Sequence, residues 1–279
     1  MIVSIGDLLL DISIVPDGGL VSDDDSPATI TVGGGGQAAN FCAWAATLGE
    51  HARLVTRVGE DERGRGLVAA LEAIGVEVCA VWSFEPTGAI AVIVGPDGQR
   101  TMATQRGASV GLGLDDLEET WFHDVHLIHV PAYSLFVEPL ASATRWAIDI
   151  VRDRGGMLAM DLSSAAGLRQ YGPARMAYML AKLKPEVLFA NEAEAATIGV
   201  PLEHLAQVPV LKLGPAGCAV FGRQIAAPKV DVVNPTGAGD AFAAAFCVAW
   251  LGGATPVEAG ERAVTTASLC VSMAGARPA

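Results

Sequence analysis

The sequence predicts an α/β fold: a doubly wound, mostly parallel sheet flanked by helices, with a small β-sheet lid beside it. Three observations carry that prediction. Short β-rich runs alternate with Ala-rich helical runs over most of the chain, which is the rhythm of βαβ units. Two Gly-rich turns open directly into helix-prone runs, as ligand-binding turns of such folds do. Two stretches, 10–33 and 81–105, break the rhythm with Asp, Gly, Pro and hairpin signals, and these are the expected lid.

Element by element, Ile2-Val3-Ser4-Ile5 is a short apolar run of strand length. After residues 10–33 a helix is expected over 37–48, with Phe41, Trp44, Ala45 and Leu48 at core-facing spacing. Strand 52–58 and helix 64–73 form the next unit. Within 81–105, Gly88-Ala89-Ile90-Ala91-Val92-Ile93-Val94 leads into Pro96-Asp97-Gly98. There proline presets φ, Asp caps its own turn and Gly can take positive φ, so an antiparallel flap is expected. Further strands are expected at 126–130, 156–161, 187–190, 208–213 and 218–221, and further helices at 139–154, 174–182, 192–198, 240–251 and 256–273. Reading 126–130 as a buried strand argues against a metal site at His123, His126 and His129, because strand residues three apart face opposite ways.

A chain of 279 residues fits one α/β domain, 1–279, with a substantial core. The net charge of −13 opposes a nucleic-acid partner, since polyanion binding rests on Lys and Arg. It does not exclude ATP, which backbone amides, a divalent cation and a few placed cations can hold. No stretch has the roughly 20 unbroken apolar residues of a membrane span and no basic segment opens the chain, so a cytoplasmic protein without a membrane partner is expected. The five cysteines show no Cys-x-x-Cys pair and read as buried free thiols.

The chemistry concentrates in Asn234-Pro235-Thr236-Gly237-Ala238-Gly239-Asp240. Glycines before a helix allow a sharp bend that points successive N–H groups outward, and the helix dipole adds to the anion-attracting field. A carboxylate at such a place repels an anion unless its task is to take a proton from an attacking hydroxyl, which points Asp240 to general base. An ordinary N-cap is the competing reading. The cluster Gly33-Gly34-Gly35-Gly36 would let a polyol lie against backbone, with Asn40 offering a donor and an acceptor. Asp11 follows the first strand, and one carboxylate can accept two adjacent sugar hydroxyls. Asn191 and Glu194 open a helix where they could hold the water shell of Mg²⁺.

Together these motifs resemble the ribokinase-like, or PfkB, family of carbohydrate kinases, nearly end to end. The resemblance rests on Gly35-Gly36-x-x-x-Asn40, Val58-Gly59-Glu60-Asp61-x-x-Gly64, Gly98-Gln99-Arg100-Thr101, Asn191-x-x-Glu194, Lys212-Leu213-Gly214-x-x-Gly217 and Gly237-Ala238-Gly239-Asp240. It implies ATP-dependent phosphorylation of a hydroxyl, expected to be primary, on a small sugar or sugar derivative, with a nucleoside kinase as the alternative. It further implies Asp240 as base, amides of Gly237, Ala238 and Gly239 as anion hole, and Asn191 and Glu194 as organisers of Mg²⁺. Lys212, Gly214, Gly217 and Thr236 would flank the nucleotide, and Asp11, Gly35, Gly36 and Asn40 would hold the sugar. Arg106 follows the flap and is a further substrate candidate, with a surface arginine as the bland reading. The chain departs from the family pattern in three places. Asn234-Pro235 replaces the Asp-Thr of a monovalent-cation site, Gln37-Ala38 replaces the Lys-Gly of ribokinase, and Val264-Thr265-Thr266-Ala267 replaces an adenine-side Asn-Ala-Ala. A binding protein that lost turnover is expected less, because Asp240 and Glu194 are retained, and a dinucleotide oxidoreductase less still, for want of Gly-x-Gly-x-x-Gly after the first strand. Two apolar faces on the flap suggest a homodimer through the lid.

Overall fold

The computed structural model describes residues 1–95, 100–273 and 275–278; the expected Pro96-Asp97-Gly98 turn lies outside them. In chain order the elements are β1 (Ile2–Ile5), β2 (Leu9–Pro16), β3 (Ala28–Gly35), α1 (Gln37–Thr47), β4 (Ala52–Gly59), α2 (Glu62–Ala73), β5 (Glu77–Ser83), β6 (Thr87–Val94) and β7 (Arg100–Gly107). There follow β8 (Leu127–Pro131), α3 (Leu140–Asp153), β9 (Met157–Asp161), α4 (Ala165–Tyr171), α5 (Pro173–Leu183), β10 (Val187–Asn191), α6 (Glu192–Ile198), β11 (Val208–Lys212), β12 (Cys218–Val220), β13 (Arg223–Ile225), α7 (Ala238–Leu251) and α8 (Pro256–Val271).

Nine strands form one sheet in the order β13-β12-β11-β10-β9-β8-β1-β4-β5. All its pairings from β11 to β5 are parallel, and the β11–β12 and β12–β13 pairs are antiparallel. From β1 the chain winds first toward β5 and then, through β8, toward β11. Order therefore reverses beside β1, where sheets of this kind leave a crevice at the carboxyl ends of their strands.

Period-2 alternation divides the core in two. Val3 and Ile5 face a cluster with α3 and α5, while Ile2 faces one with α1, α7 and α8. Helix α7 is apolar all round because it lies within that second layer: Ala241 through Cys247 are buried. Phe189 of β10 meets Phe242 and Phe246 edge-on at 6.1 and 5.4 Å. Each such ring contributes about 1.5–3 kcal/mol by leaving water. His129 lies in β8 stacked on Phe41 at 3.8 Å, and burial pushes its imidazole down to about 3, so it is neutral. His123 sits instead on the surface against Glu119.

The small sheet has four strands in the order β3-β2-β6-β7. It is two antiparallel hairpins, β2–β3 and β6–β7, the second being the antiparallel flap expected within 81–105, and β2 and β6 pair in parallel across the join. The expected stretch 81–105 also begins inside β5, which belongs to the large sheet. Asp61 fixes the small sheet to the core. Its Oδ1 caps α2 by accepting from the Gly64 amide at 2.8 Å, and it accepts from Thr87 Oγ1 at 2.7 Å, while Oδ2 accepts from the Thr87 amide at 2.8 Å at the start of β6. Some burial opposes the charge, but these hydrogen bonds hold its carboxyl below the usual range.

Candidate active site

Parallel strands deliver the polar groups to one edge. β9 ends in Asp161, β10 in Asn191 and β11 in Lys212, while α1 and α7 begin at that edge with Gln37 and Ala238. Gly237 caps α7 with φ 80°, and a Cβ there would lie 2.5 Å from Ala276 O, so only glycine suits the turn. The result is a helix start with Asp240 in its first turn.

Asp240 Oδ2 accepts from Asn40 Nδ2 at 2.7 Å, and Asn40 Oδ1 accepts from Arg277 Nε at 2.6 Å. Arg277 Nη2 also donates to Gly35 O. Burial raises Asp240 to about 7; the Asn40 hydrogen bond lowers it, the Asp161 charge raises it, and Lys212 and Arg277 lower it. A carboxyl poised there is divided between its two forms near neutral pH, as suits a proton acceptor.

Below the helix start lies a second cluster. Lys212 Nζ donates to Asp161 Oδ2 at 2.6 Å, with the Asp161 side chain fully buried. A Cβ on Gly239 would lie 3.5 Å from Lys212 Nζ, so the ammonium sits under the Gly-rich turn. Burial works against that charge, but Asp161, Glu194 and Asp240 together hold it above its ordinary value. Glu194, 3% exposed, is raised by burial and by the Asp161 charge. Its oxygens accept from the Asn191 amide and from Asn191 Nδ2, both at 2.8 Å, in a reciprocal cap of α6.

The remaining expected residues fall as follows. Asp11 on β2 packs on Gly35, where a Cβ would be 3.1 Å from that of Asp11. Gly36 opens α1 beside the Asp7 carbonyl. Asp11, Gly33, Gly34, Asn234 and Arg277 line part of a cavity of about 370 Å³. Gly214 and Gly217 shape the turn from β11 to β12, and the Leu213 amide donates to Gly217 O at 2.8 Å. The Thr236 amide donates to Asn234 Oδ1 at 2.9 Å, bracing the turn before Gly237. Arg106 has Nε and Nη2 donating to Asp7 Oδ2 and Oδ1 at 2.9 and 2.8 Å and Nη1 to Tyr133 O. Asp161, Asp7 and Arg277 were not singled out by sequence reading. A carboxylate ending a strand between two apolar runs was the one signal available for Asp161.

A mostly parallel sheet flanked by helices, with a separate four-stranded sheet beside it, is the architecture of the ribokinase-like fold. An adenosine kinase from Sinorhizobium meliloti superposes with a TM-score of 0.88 at 24% identity, over 99% of this chain and 95% of that one. A putative ribokinase II from E. coli, in complex with ATP and Mg²⁺, superposes at 0.84 and 23% identity, over 99% and 94%. A ribokinase from Arabidopsis thaliana is 29% identical over 88% of this chain and 68% of its own length. The pfkB carbohydrate kinase family model matches residues 1–279, and the chain belongs to that family.

Proposed function

We propose that this kinase transfers the terminal phosphoryl group of ATP to a hydroxyl of a small sugar or sugar derivative, with Asp240 as the general base. The observation that carries the reading is Asp240 itself. Its carboxyl stands at a helix N-terminus, oriented by Asn40, with its affinity for a proton raised into the neutral range. The acceptor hydroxyl, taken as primary, lies between Asp240 and the backbone of Gly35 and Gly36, with Asp11 and Asn40 on its other hydroxyls. Its oxygen attacks the terminal phosphorus, the bond to the bridging oxygen of ADP breaks, and the proton passes to Asp240. In a loose transition state the proton leaves late, so most of the acceleration comes from positioning and charge. The amides of Gly237, Ala238 and Gly239 receive the phosphoryl oxygens, and Lys212 beneath them adds a fixed positive charge.

Mg²⁺ would neutralise nucleotide phosphate charge. Asn191 and Glu194 supply oxygen donors of the right hardness, but both Glu194 oxygens are engaged in the α6 cap, and no group of three or more His, Cys, Asp or Glu forms a cage among the described residues. Such a set suits a hydrated ion held through its waters. The turn at Gly214 and Gly217, with Thr236, flanks the nucleotide. Arg106 serves to tie the small sheet to Asp7.

A nucleoside acceptor is the second reading, favoured by the superposition with an adenosine kinase. The small sheet serves as a lid, and its face opposite Asp11 carries Ile30 and Val32, exposed by 60% and 63%, which suits a homodimer. The experiment is ADP release over a panel of free sugars, sugar derivatives and nucleosides, with and without Mg²⁺, for the native enzyme and Asp240→Asn. Loss of at least about 100-fold in turnover is expected of the variant, the lower end for removing a general base. Near-normal turnover would remove Asp240 from its role.

A further inference from the structure

Asn40 and Asp240 meet across 200 residues of sequence, and something must decide which way the Asn40 amide points. The arrangement settles it by donors and acceptors. Arg277 Nε can only donate, so the Asn40 atom facing it at 2.6 Å is the carbonyl oxygen, and the amide nitrogen is turned to Asp240 Oδ2 at 2.7 Å. With Asp240 ionised, the flipped amide would set a donor against a donor and an acceptor against an acceptor.

The guanidinium is seated as a built part of the site. Nη2 donates to Gly35 O at the end of β3, and the group lies over Gly34, where a Cβ would come within 2.8 Å of Arg277 Cζ and closer still to Nη1. Gly34 lies just before the Gly35-Gly36 pair that the family motif contains, so the extended glycine run in this chain is what leaves the notch open. Arg277 thus touches β3 of the small sheet and Asn40 of α1 from a segment that also supplies the Ala276 carbonyl above Gly237.

We propose that Arg277 is a positioning residue for the catalytic carboxylate: it sets the orientation of Asn40 and places a positive charge one side chain away from Asp240. The inference rests on the assignment of Asp240 as base. The charged and titratable groups around Asp240 are Asp161 at the end of β9, Lys212 at the end of β11 with Glu194 of α6 beyond it, Cys270 of α8 and Arg277. Asp11 of β2 lies close to Arg277. Lys212 is engaged with Asp161 at 2.6 Å, which leaves Arg277 as the cation tied to Asp240 through one intervening side chain.

The titration itself requires no knowledge of the acceptor. The enzyme is labelled with ¹³C at Asp side-chain carboxyls, the Asp240 signal is assigned by its disappearance in Asp240→Asn, and its titration is followed in native enzyme, Arg277→Gln, Arg277→Lys and Gly34→Ala. Removing a unit charge at this range is expected to raise the Asp240 midpoint by about one pH unit in Arg277→Gln. Arg277→Lys restores most of that shift. Gly34→Ala reproduces its direction by displacing the guanidinium with Arg277 itself unchanged, and so also covers the case in which Arg277→Gln fails to fold. A midpoint that stays within about 0.3 units of the native one in Arg277→Gln or in Gly34→Ala overturns the inference. Turnover separates the two claims. An inactive Asp240→Asn with an unmoved midpoint sinks only the role of Arg277, whereas an active Asp240→Asn sinks the base and with it the positioning of that base.

Discussion

Replacing Lys212 by Met would leave Asp161 facing protein on all sides without its cation. The Asp161 side chain has no exposed surface and its Oδ2 lies 2.6 Å from Nζ, so no water replaces the lost partner. Breaking such a pair from one side costs about 3–5 kcal/mol. At about 2–4 °C per kcal/mol for a chain somewhat shorter than this one, the midpoint of thermal unfolding falls by roughly 6–20 °C. Removing the carboxylate charge as well, in Asp161→Asn with Lys212→Met, leaves no charge at position 161 and is expected to recover at least half of that loss. Differential scanning calorimetry on native, single and double variants closes the cycle. Phosphoryl transfer should remain severely reduced in the double variant, because the charge under the Gly-rich turn is absent from it too. A Lys212→Met protein melting within about 2 °C of native, or a double variant whose loss equals the sum of the singles, would refute the coupling inferred from the geometry.

Three further outcomes are expected. Asp240, with a folded-state pKa raised to about 7 from 3.8, costs stability above its unfolded pKa; Asp240→Asn should therefore be more stable than native at pH 8, with the advantage fading toward pH 4 in urea titrations. Gly237→Ala places a Cβ 2.5 Å from Ala276 O at positive φ, and should lose roughly 1–3 kcal/mol in urea unfolding and most ADP release. Asp61→Ala removes the α2 cap and both Thr87 contacts, costing about 1–3 kcal/mol at pH 7 in the same assay. Because the folded pKa of Asp61 is depressed, the native–variant gap should close as pH falls through the carboxylate range.

The large sheet was legible because its strands are short apolar runs bounded by Gly, Pro or Asp, and seven of its nine members stand where those runs do. β5 was missed because Glu77 and Trp82 make it look like a solvated connection, which at an edge of the sheet is what it nearly is. β2 and β3 lie largely within the stretch 10–33 expected as part of the lid, but its Asp-, Gly- and Pro-rich middle masked the two separate strands. α4 carries Gly167 near its middle and was passed over. In the site, Asp240 and Asn40 could be read because each adjoins a Gly-rich turn in its own stretch of chain. Asp161 and Arg277 could not, because their meaning lies in partners 51 and 237 residues away.

The parallel seam between β2 and β6 has a consequence for assembly. Its two edges are separated in the chain by β3, α1, β4, α2 and β5, and a seam of this type cannot close through a tight hairpin. Two of the intervening strands, β4 and β5, belong to the large sheet, so the ends meet cheaply only after β4 has docked on β1 and β5 on β4. The small sheet is thus a late arrival in refolding and an early departure on heating, and amide protons on β2 and β6 should exchange before those of β8 and β10.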